Sequence, residues 1–305
     1  MKIHPRALKR EARLSMHRAS PNAYLMTFVY LLLTSGLSLV VGLVTADPLM
    51  ETLSLFAEGV DLGRALMLAV SRVGAVGLFL NILMLIYNVV MDFSYSQWCL
   101  GTTRGGVGEF ADLMSGFSMV GRIILLRIAT LMYGLMWAVV IAMLWVVAIQ
   151  VMVRISFGLT MLAATPVFLA AMVLYFICIL RYSMASYCLM DEPEKGVFYA
   201  LRSSLRLMRG RCVELFVILL SFAGWFLLGS LISGVGVQIA AGVYALIGMG
   251  GTPELNMIAD IIITVVLALV SLPLSVWLTP YIAMTKCKYY DELKKAEPVT
   301  YEYRK

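Results

Sequence analysis

Charge is scarce in this chain. Asp, Glu, Lys and Arg make up 14% of its 305 residues, where a soluble domain carries roughly a quarter, so a large water-facing surface is excluded. Histidine is scarcer still: the two present, His4 and His17, both precede the first apolar run. No imidazole stands inside an apolar run, which excludes a Ser–His dyad at membrane depth. The five cysteines show no CxxC spacing, so the ligand pattern of a structural zinc site is absent, and neither a metal nor another cofactor is expected. Also missing are the glycine-rich loops that cradle phosphate, the HExxH helix of metalloproteases and the GxSxG elbow of serine hydrolases. No catalytic residue is nominated, and the chain is read as a non-enzyme.

What is present is apolar length. Hydrophobic residues make up 61% of the chain, and six runs, 23–45, 75–98, 123–153, 162–184, 213–238 and 258–284, each reach the roughly 20 residues that a bilayer core about 30 Å thick demands. The runs are continuous rather than alternating at period two, which excludes a barrel; helices satisfy every backbone polar group within one segment. The fold class expected is all-α: a polytopic membrane protein of about six transmembrane helices with cytoplasmic amphipathic helices. The first run is too long for the apolar part of a signal peptide, 7–15 residues, and reads as an uncleaved anchor.

The basic residues orient it. Of the 24 Lys and Arg, 21 lie in the N-terminus, the loops after the second and fourth runs, and the tail. By the positive-inside rule these segments face the cytoplasm of a multi-pass cell-membrane protein, with both termini inside. The chain then divides into a basic amphipathic segment (1–22), a single six-helix domain (23–284) and a cytoplasmic tail (285–305). The net charge of +6 matches anionic lipid headgroups better than nucleic acid.

Three segments outside the runs have helical periodicity. Residues 5–20 place Leu8, Ala12, Met16 and Ala19 on one face, suiting a helix on the membrane surface. The outer stretch 46–72 repeats Leu49, Leu53, Phe56 and Val60. Residues 193–211 set Val197, Leu201, Leu205 and Met208 against Arg202, Arg206 and Arg209, with Pro193 starting the helix, Asp191 and Glu192 near the positive end of its dipole, and Gly210 ending it. The three arginines are candidate lipid-headgroup contacts on a solvated basic face; a partner-docking site is the alternative. Residues 108–115 resemble 196–203, hinting at a repeated span–surface helix–span unit.

Inside the runs, polar groups are few. Asn81, Asn88 and Asp92 are spaced by seven and four, so they share a face of the second span, and Arg181 lies at similar depth in the fourth. An Asp92–Arg181 ion pair would offset part of each desolvation cost. The four residues are either a polar path or interhelical glue. Arg122 and Arg127 have stems long enough to reach the interface and are given no path role. Gly229/Ser233 and Ser230/Gly234 in the fifth span suit close helix packing, with Ser38 and Gly42 of the first span as a matching surface.

Several stretches together resemble a family of bacterial integral membrane proteins, the domain of unknown function 975 family. They are Leu8-Lys9-Arg10-Glu11-Ala12-Arg13, Arg104-Gly105, Gly116-Phe117, Arg181-Tyr182-Ser183-Met184-Ala185, Ala200-Leu201-Arg202-Ser203-Ser204 through Leu207-Met208-Arg209-Gly210, Glu214-Leu215-Phe216, Ser221-Phe222-Ala223-Gly224-Trp225, Pro280-Tyr281 and Tyr289-Tyr290-Asp291-Glu292-Leu293. The resemblance covers nearly the whole chain and implies a six-span membrane protein with no established activity. A more distant likeness to the membrane domain of some glycerophosphodiester phosphodiesterases implies an envelope or lipid role. Tyr281, Tyr289 and Tyr290 would then suit an aromatic belt at headgroup level.

The expected function is non-enzymatic binding, scaffolding or lipid organisation in the envelope, with membrane lipids and a protein as partners. The alternative is a small transporter or exporter with its path along the second and fourth spans.

Overall fold

The computed structural model describes residues 5–45, 52, 55–56, 59–155, 157–248 and 253–296. Among these there is helix and no strand. Helix α1 (Pro5–Arg18) leads into the first span, made of α2 (Ala23–Leu31), a π-helical turn (Leu32–Gly36) and α3 (Leu37–Val44). The second span lies in α4 (Leu62–Thr103), the third in α5 (Val120–Ile155) and the fourth in α6 (Phe157–Leu180). Short helices α7 (Ala185–Asp191) and α8 (Val197–Leu207) follow. The fifth span is the pair α9 (Cys212–Leu220) and α10 (Ala223–Gly248), bent by 42°; the sixth is α11 (Pro253–Lys295). Among the described residues five helical segments, or six counting this bent pair, are long and apolar enough to cross a membrane.

Local chemistry sets several boundaries. The Asn22 side chain caps α2 by accepting the Tyr24 N–H at 3.0 Å, satisfying one orphan donor. Within α4, Gly74 has φ +71° and ψ 168°, open to glycine and costly for any residue with a Cβ. It separates an outer segment, 62–73, from the span that follows. The loop 104–119 is drawn onto α4 at Gly116, whose N–H donates to Ser94 Oγ at 3.0 Å. A Cβ there would stand 3.1 Å from the Val90 carbonyl oxygen, so only glycine permits the approach. The two segments that resemble one another in sequence differ in kind: Phe110–Met119 is a 3-10 helix and Val197–Leu207 an α-helix.

The interior is concentrated at one end. In the most apolar stretch of each single-helix span only 6–17% of residues are buried; the rest, such as Leu131, Leu135, Met143 and Leu144, face outward. The large fully buried side chains instead cluster where the basic segments meet: Met26, Met91, Tyr95, Met184, Leu189, Met208, Tyr289 and Tyr290. Helix α1 packs along α11 at this end, bringing the first and last described helices together.

Several expectations are corrected here. Helix α1 does not lie free on a membrane surface: Leu8, Ala12 and Met16 are buried in the protein core. Its cations sit on aromatic rings, Lys9 Nζ 4.0 Å from the Phe222 centroid and Arg13 5.0 Å from that of Tyr281. Burial, with the Arg13 charge adding, lowers Lys9 from the usual lysine range. Tyr281, Tyr289 and Tyr290 form no headgroup belt: all three are buried. Tyr289 Oη donates to the Arg211 carbonyl at 3.1 Å and Tyr290 stacks on Tyr187. Pro193 opens a 3-10 turn rather than α8, which begins after Gly196. In the fifth span Gly229 and Gly236 approach Leu274 and Leu267 of α11. No contact is made at Gly42, so the first span is not their partner surface. Leu49 and Leu53 lie outside the described residues.

One charge network ties this end together. Arg104, just past α4, donates from Nη1 to Asp191 Oδ1 at 2.7 Å and from Nη2 to Asp191 Oδ2 at 3.2 Å. The same guanidinium donates from Nε (3.0 Å) and Nη2 (2.7 Å) to Asp291 Oδ1. Lys294 Nζ (2.7 Å) and Tyr290 Oη (2.8 Å) also donate to Asp191 Oδ2. Asp191, 10% exposed at its side chain, therefore serves this network and not the dipole of α8. The Asp191 hydrogen bonds raise the Arg104 pKa, fixing its charge. Fork geometry makes such pairs strong and directional. Replacing Asp191 by Ala leaves three donors facing a vacancy and is expected to cost about 2–3 kcal/mol, read as a loss of thermal stability in detergent. Glu292→Ala, which removes an exposed pair with Lys295, should cost under about 0.5 kcal/mol. Equal effects would refute the network's role.

Candidate functional site

The charged residues that remain inside the bundle converge on one place. Asp92 stands about 16 Å of helix before the end of α4 at Thr103. Arg127 is about 10 Å into α5, which starts at Val120. Lys286 lies about 13 Å before the end of α11 at Lys295. Three cavities meet around them. The first, about 460 Å³, lies between α4, α10 and α11 and is lined by Asp92, Ser96, Tyr187 and Lys286, with Trp225, Phe226, Leu274 and Leu278 as its apolar wall. The second, about 320 Å³, lies between α4, α5, α7 and α11 and shares Asp92, Ser96, Tyr187 and Lys286, adding Arg127, Thr130 and Tyr182. The third, about 700 Å³, runs between the first span and α4 and carries Thr34, Ser35, Ser38, Asn88, Asp92 and Arg127.

The local fold explains why these walls do not close. The π-helical turn Leu32–Gly36 contributes Thr34 and Ser35 to the third cavity; the wider π turn interrupts the regular packing of the first span, as such turns often do beside functional sites. Past the 42° bend between α9 and α10, α10 packs on α11, with the Trp225 and Trp277 ring centroids 4.7 Å apart. Serines and threonines on the cavity walls bond within their own helices: Ser275 Oγ donates to the Ser271 carbonyl at 3.0 Å, and Thr130 Oγ1 to the Leu126 carbonyl at 3.0 Å. Ser183 Oγ, at the wall of the second cavity, is buried with no protein partner.

Electrostatically the chamber carries one carboxylate and two cations. Lys286 and Arg127 are the cations whose field acts on Asp92. Among the described residues no direct ion pair joins Asp92 to either. Asp92 and Arg127 are exposed to the cavities, and Lys286 is half-buried. Charged groups at this depth are costly unless paired or wet, and here they are kept apart by cavity space.

The predicted polar set is therefore divided. Asn88 Nδ2 donates to Ser38 Oγ at 3.0 Å, and Asn81 Nδ2 to Thr45 Oγ1 at 3.3 Å and to the Gly77 carbonyl at 2.9 Å. Both amides bond α4 to the first span, Asn88 at the edge of the third cavity. Arg181 does not pair with Asp92: its side chain is exposed at the turn after α6, and its carbonyl accepts from Ser204 Oγ at 2.8 Å. The cations whose charges act on Asp92, without a direct ion pair, are Arg127, expected to reach the interface, and Lys286, expected in the tail. Helical depth was the available signal: both lie more than a turn inside their helices. Arg202, Arg206 and Arg209 lie on the exposed face of α8 and the turn after it, opposite the buried Val197, Leu201 and Met208. The five thiols are unpaired; Cys99, Cys178, Cys188 and Cys287 are buried. No cluster of three metal-ligating side chains is found among the described residues.

Replacing Asn88 by Leu keeps the bulk and removes the bond to Ser38. It is expected to destabilise the folded protein by about 0.5–1.5 kcal/mol, the usual worth of an interhelical hydrogen bond in a membrane. Thermal unfolding beside Ser38→Ala should give losses that do not add; independent losses would mean the two side chains are not bonded.

No curated protein and no solved structure matches the chain, and neither comparison bears on the likeness to the phosphodiesterase membrane domain. One family model does match, over residues 3–297, nearly the whole chain. A helical chain with five helices able to span a membrane, or six counting the bent pair, and with this coverage belongs to the family described as Protein of unknown function (DUF975).

Proposed function

We propose that this protein is a non-enzymatic binding protein of the bacterial cell membrane, with both termini cytoplasmic, that takes an amphiphile into the chamber around Asp92. One observation carries the reading: three cavities with a polar, charged meeting point and apolar walls lie within the spans. A soluble polar solute has no use for the Trp225–Phe226–Leu274–Leu278 wall, and a pure hydrocarbon has none for Asp92, Arg127 and Lys286. An amphiphile matches both. Phe226 and Ser230 border the first cavity and are exposed on the flank of α10, which makes lateral entry from the bilayer the natural route. The exposed arginines 202, 206 and 209 would sit against anionic headgroups on the same side.

Movement of the amphiphile is the second reading. It is favoured by cavity space on both sides of Asp92, between α10 and α11 on one flank and beside the first span on the other. Such an arrangement suits a small transporter or exporter, in which the bound species passes from one cavity to the next.

The test is access. Ser96 lines the first two cavities. Ser96→Cys in the otherwise native chain should react with a water-soluble maleimide in detergent, beyond the labelling of the wild type, and adding membrane lipid should suppress that reaction. No reaction in either state, or reaction that lipid does not change, would refute the reading.

A further inference from the structure

The charge count of the chamber identifies the headgroup. We infer that the chamber selects an amphiphile whose headgroup carries an anionic phosphate, held between Arg127 and Lys286, with its tail along the apolar wall; this rests on the amphiphile-binding reading above. The described side chains lining the second cavity bring two positive charges against one negative. Among the described residues neither cation is matched by a direct ion pair or hydrogen bond to Asp92. A cavity lined by one uncompensated positive charge favours an anion, and its low-dielectric walls strengthen that preference over the same charges in open water.

The donor types narrow the class further. A guanidinium offers a planar fork to two oxygens of one phosphate, and an ammonium acts as a point charge that swings to a third. The unpartnered Ser183 hydroxyl stands on the same wall and can donate to an ester or free oxygen. Asp92, the single carboxylate of this lining, repels the anion. A zwitterionic headgroup would present its ammonium to a site with surplus positive charge and is disfavoured.

The experiment is native mass spectrometry of the full chain released from micelles containing equal amounts of phosphatidylglycerol and phosphatidylcholine. Wild type is expected to retain phosphatidylglycerol about tenfold over phosphatidylcholine, the factor expected for one charge-assisted contact. Arg127→Gln and Lys286→Gln should each remove most of that preference. Asp92→Asn should increase it, an effect in a direction that misfolding cannot produce. Arg209→Gln, on the outer surface, should leave it unchanged. Inorganic phosphate and glycerol phosphate are added as competitors. Displacement only at concentrations far above that of the lipid marks a lipid headgroup, as proposed; displacement at matched concentration marks a free phosphate ligand and overturns the amphiphile part of the inference. Unchanged preference in both cation variants, or a preference that follows Arg209, overturns it entirely. Lipid protection of Ser96→Cys without any headgroup preference would leave the binding reading standing and refute only this inference.

Discussion

Apolar helices in a bilayer gain little by leaving lipid for one another, because acyl chains are as apolar as leucine. The outward-facing stretches of α5 and α10, with residues such as Leu131, Met143, Leu227 and Leu231 on the surface, have no hydrophobic reason to associate. Polar and aromatic contacts such as Asn88–Ser38 and Trp225–Trp277 tie neighbouring spans along their length, and at the basic end the Arg104–Asp191–Asp291 network is the joint. It binds the end of α4, the end of α7 and the end of α11 through one guanidinium, with Lys294 and Tyr290 closing the second side of Asp191. Lys288 extends the joint by donating to the Thr103 carbonyl at 2.8 Å, satisfying an orphan acceptor at the end of α4.

Around this joint the protein builds a compact cap from segments that look peripheral along the chain. Helix α1 contributes Leu8, Ala12 and Met16; α8 contributes Val197, Leu201 and Leu207; the end of α11 contributes Tyr289, Tyr290 and Leu293. The Lys9–Phe222 and Arg13–Tyr281 contacts fasten α1 across α9–α10 and α11. Their worth, about 0.5–2 kcal/mol each depending on desolvation, supplements the burial of the apolar stripe. Away from this cap the spans carry fewer buried residues, and beside it lies the chamber at Asp92.

Much of this was legible in the residues. Six apolar runs, the one-sided placement of 21 basic residues and the amphipathic stripes of α1 and α8 follow from solvent preference alone. So does the sharing of one face by Asn81, Asn88 and Asp92, since 3.6-residue periodicity is local. Which of those groups bond and which stay open was not legible. Asn88 reaches Ser38, fifty positions earlier. Arg181, nominated by depth, turns outward, while Lys286, counted among tail charges, turns in. Tyr289 and Tyr290 have the composition of an interface belt and are buried because α1, α7 and α9 close over them, a placement with no sequence-local signature.

By itself the sequence determined the solvent of each segment, the number of spans, the end at which charge collects and the absence of familiar catalytic motifs, because each depends on a residue's own polarity and its nearest helical neighbours. Tertiary structure alone decided which cations face Asp92, which carboxylates join Arg104, and where the spans part to leave space. Those are contacts between helices distant in the chain, set by how the basic-end cap packs, and no period or spacing along one helix encodes them.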